Sequence, residues 1–165
     1  GPVINERQIN CMLAAVVEAT SKDARILIGG ERLKGEEYDG GYYMAPTLVE
    51  AVAADDAMST TELFGPIASL YRVKDFSEAL DLANLSPYGL TACIHTRDFN
   101  RAMEFSYRVQ AGATVVNAGT YGSEPHMPFG GFKQSGNGTR EPGTEALDVY
   151  SELKDIYLIV DPAQV

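Results

Sequence analysis

Basic residues are scarce in this 165-residue sequence, which has 13 Lys and Arg against 23 Asp and Glu and a formal net charge of −10. This balance argues against nucleic-acid and anionic-membrane partners, because binding to phosphates needs a basic face. The sequence also has no apolar run of about 18 residues and no signal-peptide pattern. We therefore predict a soluble, unexported, cytoplasmic protein.

The motifs of several enzyme classes are missing as well. Only two histidines and no C-x-x-C occur, which argues against a structural zinc site. The chain has neither the G-x-S-x-G of a nucleophile elbow nor the G-x-x-x-x-G-K-[ST] of a phosphate-binding loop. Its two cysteines, Cys11 and Cys93, lie in apolar stretches. We expect both to pack as small hydrophobic side chains in a reducing compartment.

What the sequence does contain is an alternation of helix and strand patterns. Asn5 precedes apolar residues at helical spacing in "ERQINCMLAAVVEATS", and Asp75 with Glu78 forms a capping-box pattern before "FSEALDLANL". A third helix is predicted in "DFNRAMEFSYRVQ", and strands in "ARILIGG", "IASLYRV", "YGLTACIHT" and "GATVVN". This alternation predicts an α/β fold with a parallel sheet covered by helices.

The strand "GATVVN" runs into a loop of 22 residues, 118–139, which is too long for a simple connector. In parallel sheets, ligands bind beyond the carboxyl ends of the strands. The apolar residues of "HMPF" within this loop argue against disorder, so we predict that it lines a pocket. Its "GGFKQSGNG" does not have the spacing of a dinucleotide-binding glycine motif.

Four motifs in order, "ELFGP", "DFSEALDLANLSPYGLTACIHT", "AGATVVN" and "PFGGFKQSGNGTREPG", resemble the C-terminal half of the aldehyde dehydrogenase superfamily. The resemblance covers essentially the whole chain. It implies a parallel-sheet catalytic-domain portion over residues 1–152 and an oligomerisation strand or tail over residues 153–165. The chain opens on Gly-Pro without a methionine, so we expect it to be a piece of a longer protein.

The resemblance implies a cofactor site for NAD or NADP. Glu62 matches the family glutamate that accepts hydrogen bonds from the ribose on the nicotinamide side, and Phe64 matches the aromatic residue packed against the nicotinamide. A carboxylate suits two hydroxyl donors at once. The alternative is that Glu62 is a solvated loop acid and Phe64 a core residue. Thr61 replaces a glutamate that the family does not assign to the cofactor.

For the aldehyde substrate, Phe129 matches the apolar wall of the tunnel, where it would exclude water. The alternative is that it fills the core beneath the loop. Residues 119–126, called the anchoring loop below, match the variable segment that holds the substrate tail. Its candidate contacts are Gly119, Tyr121, Gly122, Ser123 and His126. The glycine amides suit a carboxylate, so a semialdehyde substrate is conceivable.

Three further matches have strong alternatives. Glu141 matches a proton-relay glutamate, although "SGNGTRE" is one residue longer than the common pattern. Lys133 and Gly136 match positions near a monovalent-cation site; no other metal is expected. As alternatives, Glu141 is a helix-first-turn acid, Lys133 a surface charge and Gly136 a turn glycine.

The family reaction needs a cysteine thiolate, an oxyanion hole and a glutamate base, none of which is expected in this chain. Neither Cys11 nor Cys93 follows the Gly-Gln-x-Cys pattern. The sequence therefore predicts part of an aldehyde dehydrogenase that acts through a thiohemiacetal and a thioester, inactive alone and completed by an upstream half. The resemblance also implies that "ELKDIYLIV" joins a sheet shared between the subunits of a homodimer or homotetramer; the alternative is a final strand of this chain's own sheet. The alternatives are a truncated, non-catalytic binding or assembly module and an unrelated α/β binding domain.

Overall fold

The computed structural model describes residues 1–159, 161 and 163 of the chain. Helices and strands alternate along it, which confirms the α/β class. The chain divides into a first unit, residues 1–87, and a second unit that begins at residue 88. No helix within the described residues has the length and apolar character that crossing a membrane requires.

The first unit is organised by one long helix and a small sheet. Its elements are α1 (Glu6–Ser21), β1 (Arg25–Ile28), β2 (Thr47–Glu50), α2 (Ala57–Thr60), β3 (Ile67–Leu70) and α3 (Phe76–Leu85). The sheet order is β1-β2-β3, with β1 antiparallel and β3 parallel to β2. The parallel pair places the amino ends of β2 and β3 side by side, Thr47 opposite Ile67.

Helix α1 supplies most of the first unit's core. Ile9, Met12 and Val16 recur at helical spacing and are fully or almost fully buried, together with Val49 of β2. Each such side chain contributes about 1.5–3 kcal/mol by leaving water. Val17, although apolar and next to Val16 in the same helix, is 67% exposed.

The predicted helix caps are confirmed. The Asn5 side chain accepts a hydrogen bond from the backbone N–H of Gln8, 2.8 Å away, and Asp75 accepts one from the N–H of Glu78 at 2.9 Å. Each bond satisfies a first-turn donor that has no partner inside the helix. Local chemistry therefore decides where α1 and α3 begin.

The second unit contains shorter elements. They are β4 (Tyr88–Gly89), β5 (Thr91–Ile94), α4 (Phe99–Arg108), β6 (Ala113–Val116), β7 (Phe132–Lys133) and α5 (Ala146–Val149). Strands β5 and β6 are parallel and in register from Thr91 opposite Ala113 to Ile94 opposite Val116. The buried side chains of α4 are Ala102 and Phe105.

Strand pairing is described within each of the two units. Among the described residues the strands form three small sheets, β1-β2-β3, β4-β7 and β5-β6, and a single parallel sheet covered by helices stays a prediction. The parallel pairs in the described part of the chain are β2-β3 and β5-β6. Periodicity indicates that a segment is a strand but carries no information on its partner, which is set by distant contacts.

The predicted oligomerisation strand or tail, residues 153–165, stays a prediction. Residues 151–159 form neither helix nor strand as described, and residues 160, 162, 164 and 165 lie outside the described residues. The end of the predicted apolar run, Val160, is one of these. Leu153, Ile156, Tyr157, Leu158 and Ile159 are all exposed.

Candidate functional site

The segment that carries Glu62 and Phe64 is a short loop, residues 61–66, between α2 and β3. We call it the Glu62 loop. Its first end is held by Asp56, whose Oδ1 accepts a hydrogen bond from the N–H of Met58 at 2.9 Å and so caps α2. Asp56 Oδ2 also lies 2.9 Å from Lys22 Nζ. The hydrogen bond from Lys22, followed by that from Met58, lowers the pKa of the Asp56 carboxyl below its ordinary value.

The backbone of the Glu62 loop is fastened at three further points. The Gln8 side-chain amide donates a hydrogen bond to the Leu63 carbonyl, and the Leu63 side chain packs against the core. Gly65 lies against Met12 so closely that an added Cβ would sit 1.9 Å from Met12 Sδ. The N–H of Thr47 donates to the Pro66 carbonyl at 2.8 Å. These contacts fix the backbone from which the neighbouring side chains project.

Glu62 and Phe64 face solvent from this fixed backbone. The Glu62 carboxylate makes no hydrogen bond or ion pair with the described part of the chain. Phe64 is 78% exposed and has a φ of 45°, a left-handed conformation that is costly for a phenylalanine. Its ring borders a cavity of about 300 Å³ together with Leu63 and Gly65. The alternative, in which Phe64 is a core residue, does not agree with this exposure.

The Glu62 loop precedes β3, so it lies at the amino ends of the parallel strands β2 and β3. The expectation drawn from parallel sheets was a ligand beyond the carboxyl ends. That expectation concerned the long loop after "GATVVN", and the structure places the start of this loop at the carboxyl end of β6. The Glu62 loop thus lies at the amino end of its strand, whereas the long loop lies at the carboxyl end of its strand.

The anchoring loop is open along its length. Gly119, Tyr121, Gly122, Ser123 and His126 are all exposed, and the Tyr121 ring lies against Gly119. The side chains of Tyr121, Ser123 and His126 form no hydrogen bonds with other described residues. The predicted contacts are therefore brought together on one exposed segment with their polar groups accessible.

Phe129 follows the anchoring loop and is half-buried on a tightly packed backbone. Its carbonyl accepts a hydrogen bond from the N–H of Glu141 at 2.7 Å. The next residue, Gly130, presents its carbonyl oxygen to Gly112, where an added Cβ would lie only 1.6 Å away. Such contacts between two backbones leave no space for side chains, so they hold Phe129 in a defined position.

Glu141, Lys133 and Gly136 lie in the segment after Phe129. The Tyr150 hydroxyl donates a hydrogen bond to Glu141 Oε1 at 3.2 Å, and both groups are exposed. Lys133 belongs to β7, opposite Tyr88. Gly136 packs against Gly131, whose carbonyl oxygen would be 2.1 Å from an added Cβ. This close contact explains why a glycine is needed at position 136. The role of Gly136 near a cation stays a prediction.

The two cysteines differ from expectation. Both are free thiols, and both are exposed rather than packed as small hydrophobic side chains. Cys11 lies on the outer face of α1, between the buried residues Ile9 and Met12, and Cys93 lies in β5. Within the part of the chain that is described, no three His, Cys, Asp or Glu side chains form a cluster that could hold a metal ion.

Two residues next to these segments were not singled out by the sequence analysis. Gln8 holds the Leu63 carbonyl, and its only sequence signal was its position three residues after the Asn5 cap. Asn117, the last residue of "GATVVN", has a φ of 59° and pairs through its side chain with Thr96. An asparagine directly after a strand is a signal for such a conformation.

A model of the aldehyde dehydrogenase family matches residues 1–156. The chain belongs to the aldehyde dehydrogenase family. Among curated relatives, this aldehyde dehydrogenase chain is 34% identical over 158 residues to an alpha-ketoglutaric semialdehyde dehydrogenase of Bacillus subtilis, covering 96% of this chain and 32% of the relative. It is 39% identical over 158 residues to a 2,5-dioxopentanoate dehydrogenase of Saccharolobus solfataricus, covering 95% of this chain and 32% of the relative. The chain therefore spans about a third of the length of these relatives.

Solved structures of the family superpose well on this aldehyde dehydrogenase chain. A Burkholderia cenocepacia protein described as an aldehyde dehydrogenase is 36% identical, with a TM-score of 0.86 over 92% of this chain and 31% of that one. An indole-3-acetaldehyde dehydrogenase of P. syringae, solved with NAD+ and IAA, is 34% identical, with a TM-score of 0.85 over 93% of this chain and 30% of that one. The described α/β arrangement is thus that of an aldehyde dehydrogenase segment.

Proposed function

We propose that this chain is the C-terminal part of the catalytic domain of an NAD(P)-dependent aldehyde dehydrogenase that oxidises an aldehyde to the carboxylate. The observation that carries the proposal is the Glu62 loop. In a member of this family, a fixed backbone presents a carboxylate with no partner in the described residues beside an exposed aromatic ring. This arrangement is suited to binding a ligand that offers both hydroxyl donors and a flat ring.

The nicotinamide end of a dinucleotide has both of these features. The two oxygens of Glu62 would accept hydrogen bonds from the ribose hydroxyls, and the ring of Phe64 would pack against the nicotinamide. When bound, the nicotinamide would accept a hydride. The contacts of Leu63 with Gln8 and the core, and of Gly65 with Met12, hold the backbone from which both side chains would reach the ligand.

On the substrate side, we assign water exclusion to Phe129 and recognition of the tail to the anchoring loop. An apolar wall protects a reactive acyl intermediate from premature hydrolysis. The nucleophilic thiolate is assigned to the parent enzyme and not to Cys11 or Cys93, which lack the Gly-Gln-x-Cys context. Glu141, with Tyr150 donating to it, is the proposed proton relay.

The proposed substrate is a semialdehyde that carries a carboxylate. Its support is the accessible set of polar groups in the anchoring loop: the Tyr121 and Ser123 hydroxyls, the His126 imidazole and the backbone amides near Gly119 and Gly122. The two curated relatives named above carry semialdehyde and 2,5-dioxopentanoate dehydrogenase names, in agreement with this choice.

The cofactor assignment is tested in the full-length protein that carries this chain. Glu62→Gln removes the charge with little change in shape, so the Kd for NAD+ or NADP+ should rise about 10- to 100-fold, the value of hydrogen bonds to a charged group. Glu36→Gln, at another exposed loop glutamate, is the matched control and should leave Kd unchanged. Equal Kd values for wild type and Glu62→Gln would reject the site.

The reaction is tested by following cofactor reduction with 2,5-dioxopentanoate and with pentanal, an uncharged aldehyde of the same carbon number. We expect the full-length protein to prefer the former in kcat/KM. The 165-residue chain by itself should reduce no cofactor with either aldehyde. A preference for pentanal would contradict the semialdehyde proposal, and activity of the 165-residue chain would contradict the assignment of the nucleophile to the parent.

The exposed tail supports a second candidate function, assembly. Leu153, Tyr157, Leu158 and Ile159 are between 84% and 106% exposed, and an apolar segment of this kind pairs readily with a strand of another chain. We propose that residues 153–165 join a homodimer or homotetramer of the parent. Light scattering on the full-length protein lacking these residues should give a lower mass; an unchanged mass would reject this role.

A further inference from the structure

The chain changes direction sharply at the carboxyl end of β6. Val116 is the last residue paired with β5, opposite Ile94, and Asn117 then adopts a φ of 59°. This left-handed conformation is accessible to asparagine and glycine but unfavourable for most other residues. The residue that turns the backbone toward the anchoring loop is therefore constrained in type.

Asn117 also continues the pairing of β5 with β6 beyond the last strand residues. Its backbone N–H donates to the Ile94 carbonyl at 2.8 Å. Its side-chain Oδ1 accepts from the N–H of Thr96 at 2.8 Å, and its Nδ2 donates to the Thr96 carbonyl at 2.9 Å. The carboxamide thus pairs with Thr96 as a second peptide group would, through one donor and one acceptor.

Between Asn117 and Phe129 the chain has few other restraints. The backbone hydrogen bond recorded inside this stretch runs from the N–H of Met127 to the Glu124 carbonyl, at 3.0 Å. Among the described residues, the stretch is held again at its far end, where the backbone of Met127 and Pro128 lies against Gly143 and the Phe129 carbonyl accepts from the N–H of Glu141. Its path is therefore set mainly by the direction in which it leaves Asn117 and by the point at which it arrives.

From this geometry we propose that the Asn117 carboxamide is a positioning residue that sets the path of the anchoring loop and, through it, selectivity for the substrate tail. The inference rests on the proposed function in so far as that loop holds the aldehyde. The bonds of Asn117 are exposed to solvent, where water competes for both partners. Their main effect is accordingly on loop direction and only secondarily on global stability.

Two variants of the full-length protein separate the carboxamide from the backbone conformation. Asn117→Gly keeps the left-handed conformation and removes the side-chain pairing. Asn117→Asp keeps the size and the acceptor for Thr96 but places an oxygen against the Thr96 carbonyl. Asn100→Ala, at an exposed position of α4, is the matched control.

The first readout is hydrogen–deuterium exchange, which does not depend on activity. In Asn117→Gly, the N–H of Met127, which is hydrogen-bonded inside this stretch, should exchange about tenfold faster, whereas the bonded amides of β5 and β6 keep wild-type rates. The Asp variant should lie between Gly and wild type, and Asn100→Ala should match wild type. Unchanged exchange at the Met127 N–H, or equally faster exchange throughout β5 and β6, would overturn the proposal.

The second readout is selectivity. In Asn117→Gly, kcat/KM for 2,5-dioxopentanoate should fall about 10- to 100-fold relative to that for pentanal, the scale of a small misplacement at a binding site. The fall should appear mainly in KM, with an unchanged Kd for the cofactor. Equal losses on both aldehydes would indicate a merely structural role and refute the inference. If the wild-type protein oxidises neither aldehyde, the proposed function fails, and exchange alone still decides whether Asn117 positions the loop.

Discussion

Replacing Gly112 by alanine tests the backbone packing that holds Phe129. The new Cβ would start 1.6 Å from the Gly130 carbonyl oxygen and needs at least 3.0 Å, so one of the two backbones must move by about 1.4 Å. The Gly112 side of the contact is restrained by its N–H, which donates to the Gly89 carbonyl at 3.0 Å. The obstacle is a carbonyl group, which, unlike the end of a long side chain, cannot rotate away.

The expected cost follows from this geometry. Overpacking by one methyl group costs about 1–3 kcal/mol when side chains can adjust, so we expect about 3 kcal/mol here. For a chain of this size, each kcal/mol lowers Tm by about 2–4 °C, which gives a decrease of about 6–12 °C. Because Gly130 follows Phe129 directly, KM for the aldehyde should rise in the full-length protein as well.

Thermal unfolding monitored by circular dichroism measures this decrease. The control is Gly40→Ala, where an added Cβ has no atom within 4 Å and the change should stay within about 0.5 kcal/mol. A Tm for Gly112→Ala within 1–2 °C of the control, or about 0.5 kcal/mol, would show that the backbone relaxes easily. The account of Phe129 as a firmly held side chain would then fail.

Three further outcomes are expected. The folded-state pKa of Asp56 lies below the ordinary 3.8, so the ionised carboxylate stabilises the fold above that pH and loses this effect as the pH falls below it. Asp56→Asn should therefore lower the free energy of unfolding by its full amount above pH 3.8 and by less at lower pH, as measured by urea unfolding between about pH 2 and 6. Glu50→Gln should cost about 1–3 kcal/mol in the same assay, because the buried Glu50 carboxylate binds Arg25 at 2.6 Å and Arg72 at 3.1 Å; an unchanged midpoint would contradict this. Phe64→Gly should raise stability by up to about 1 kcal/mol by relieving the positive φ, yet weaken cofactor binding; tighter binding would exclude a stacking role.

Local features of the sequence predicted local features of the fold. Asn5 and Asp75 cap α1 and α3 as expected, because a cap depends on a polar side chain and an N–H two or three residues away. Sheet pairing was predicted less well. Strand β1 pairs antiparallel with β2, which the alternation of elements did not predict, since the partner of a strand depends on contacts between distant segments.

The sequence predicted the candidate side chains of the site, but not the residues whose contacts hold the backbone around them. Glu62 and Phe64 were found through a motif, whereas Gln8, 55 residues away from Leu63 in sequence, was not. Asn117 was missed as well, because its pairing with Thr96 spans 21 residues. The exposure of Cys11 also departed from the pattern, since an apolar sequence context does not specify which side of a helix faces the core.

The glycine-on-glycine packing after Phe129 divides this region into positions that an engineer can vary and positions that must be left alone. At Gly112, Gly131 and Gly136, any side chain would start within 2.3 Å of a carbonyl oxygen. At Gly122 an added Cβ meets no atom within 4 Å, although its φ of 87° limits the choice to residues such as asparagine and aspartate. A library designed to change aldehyde preference should therefore randomise the non-glycine positions of the anchoring loop and keep Gly112, Gly131 and Gly136 constant. Most of its members would then fold, and selection would act on chemistry.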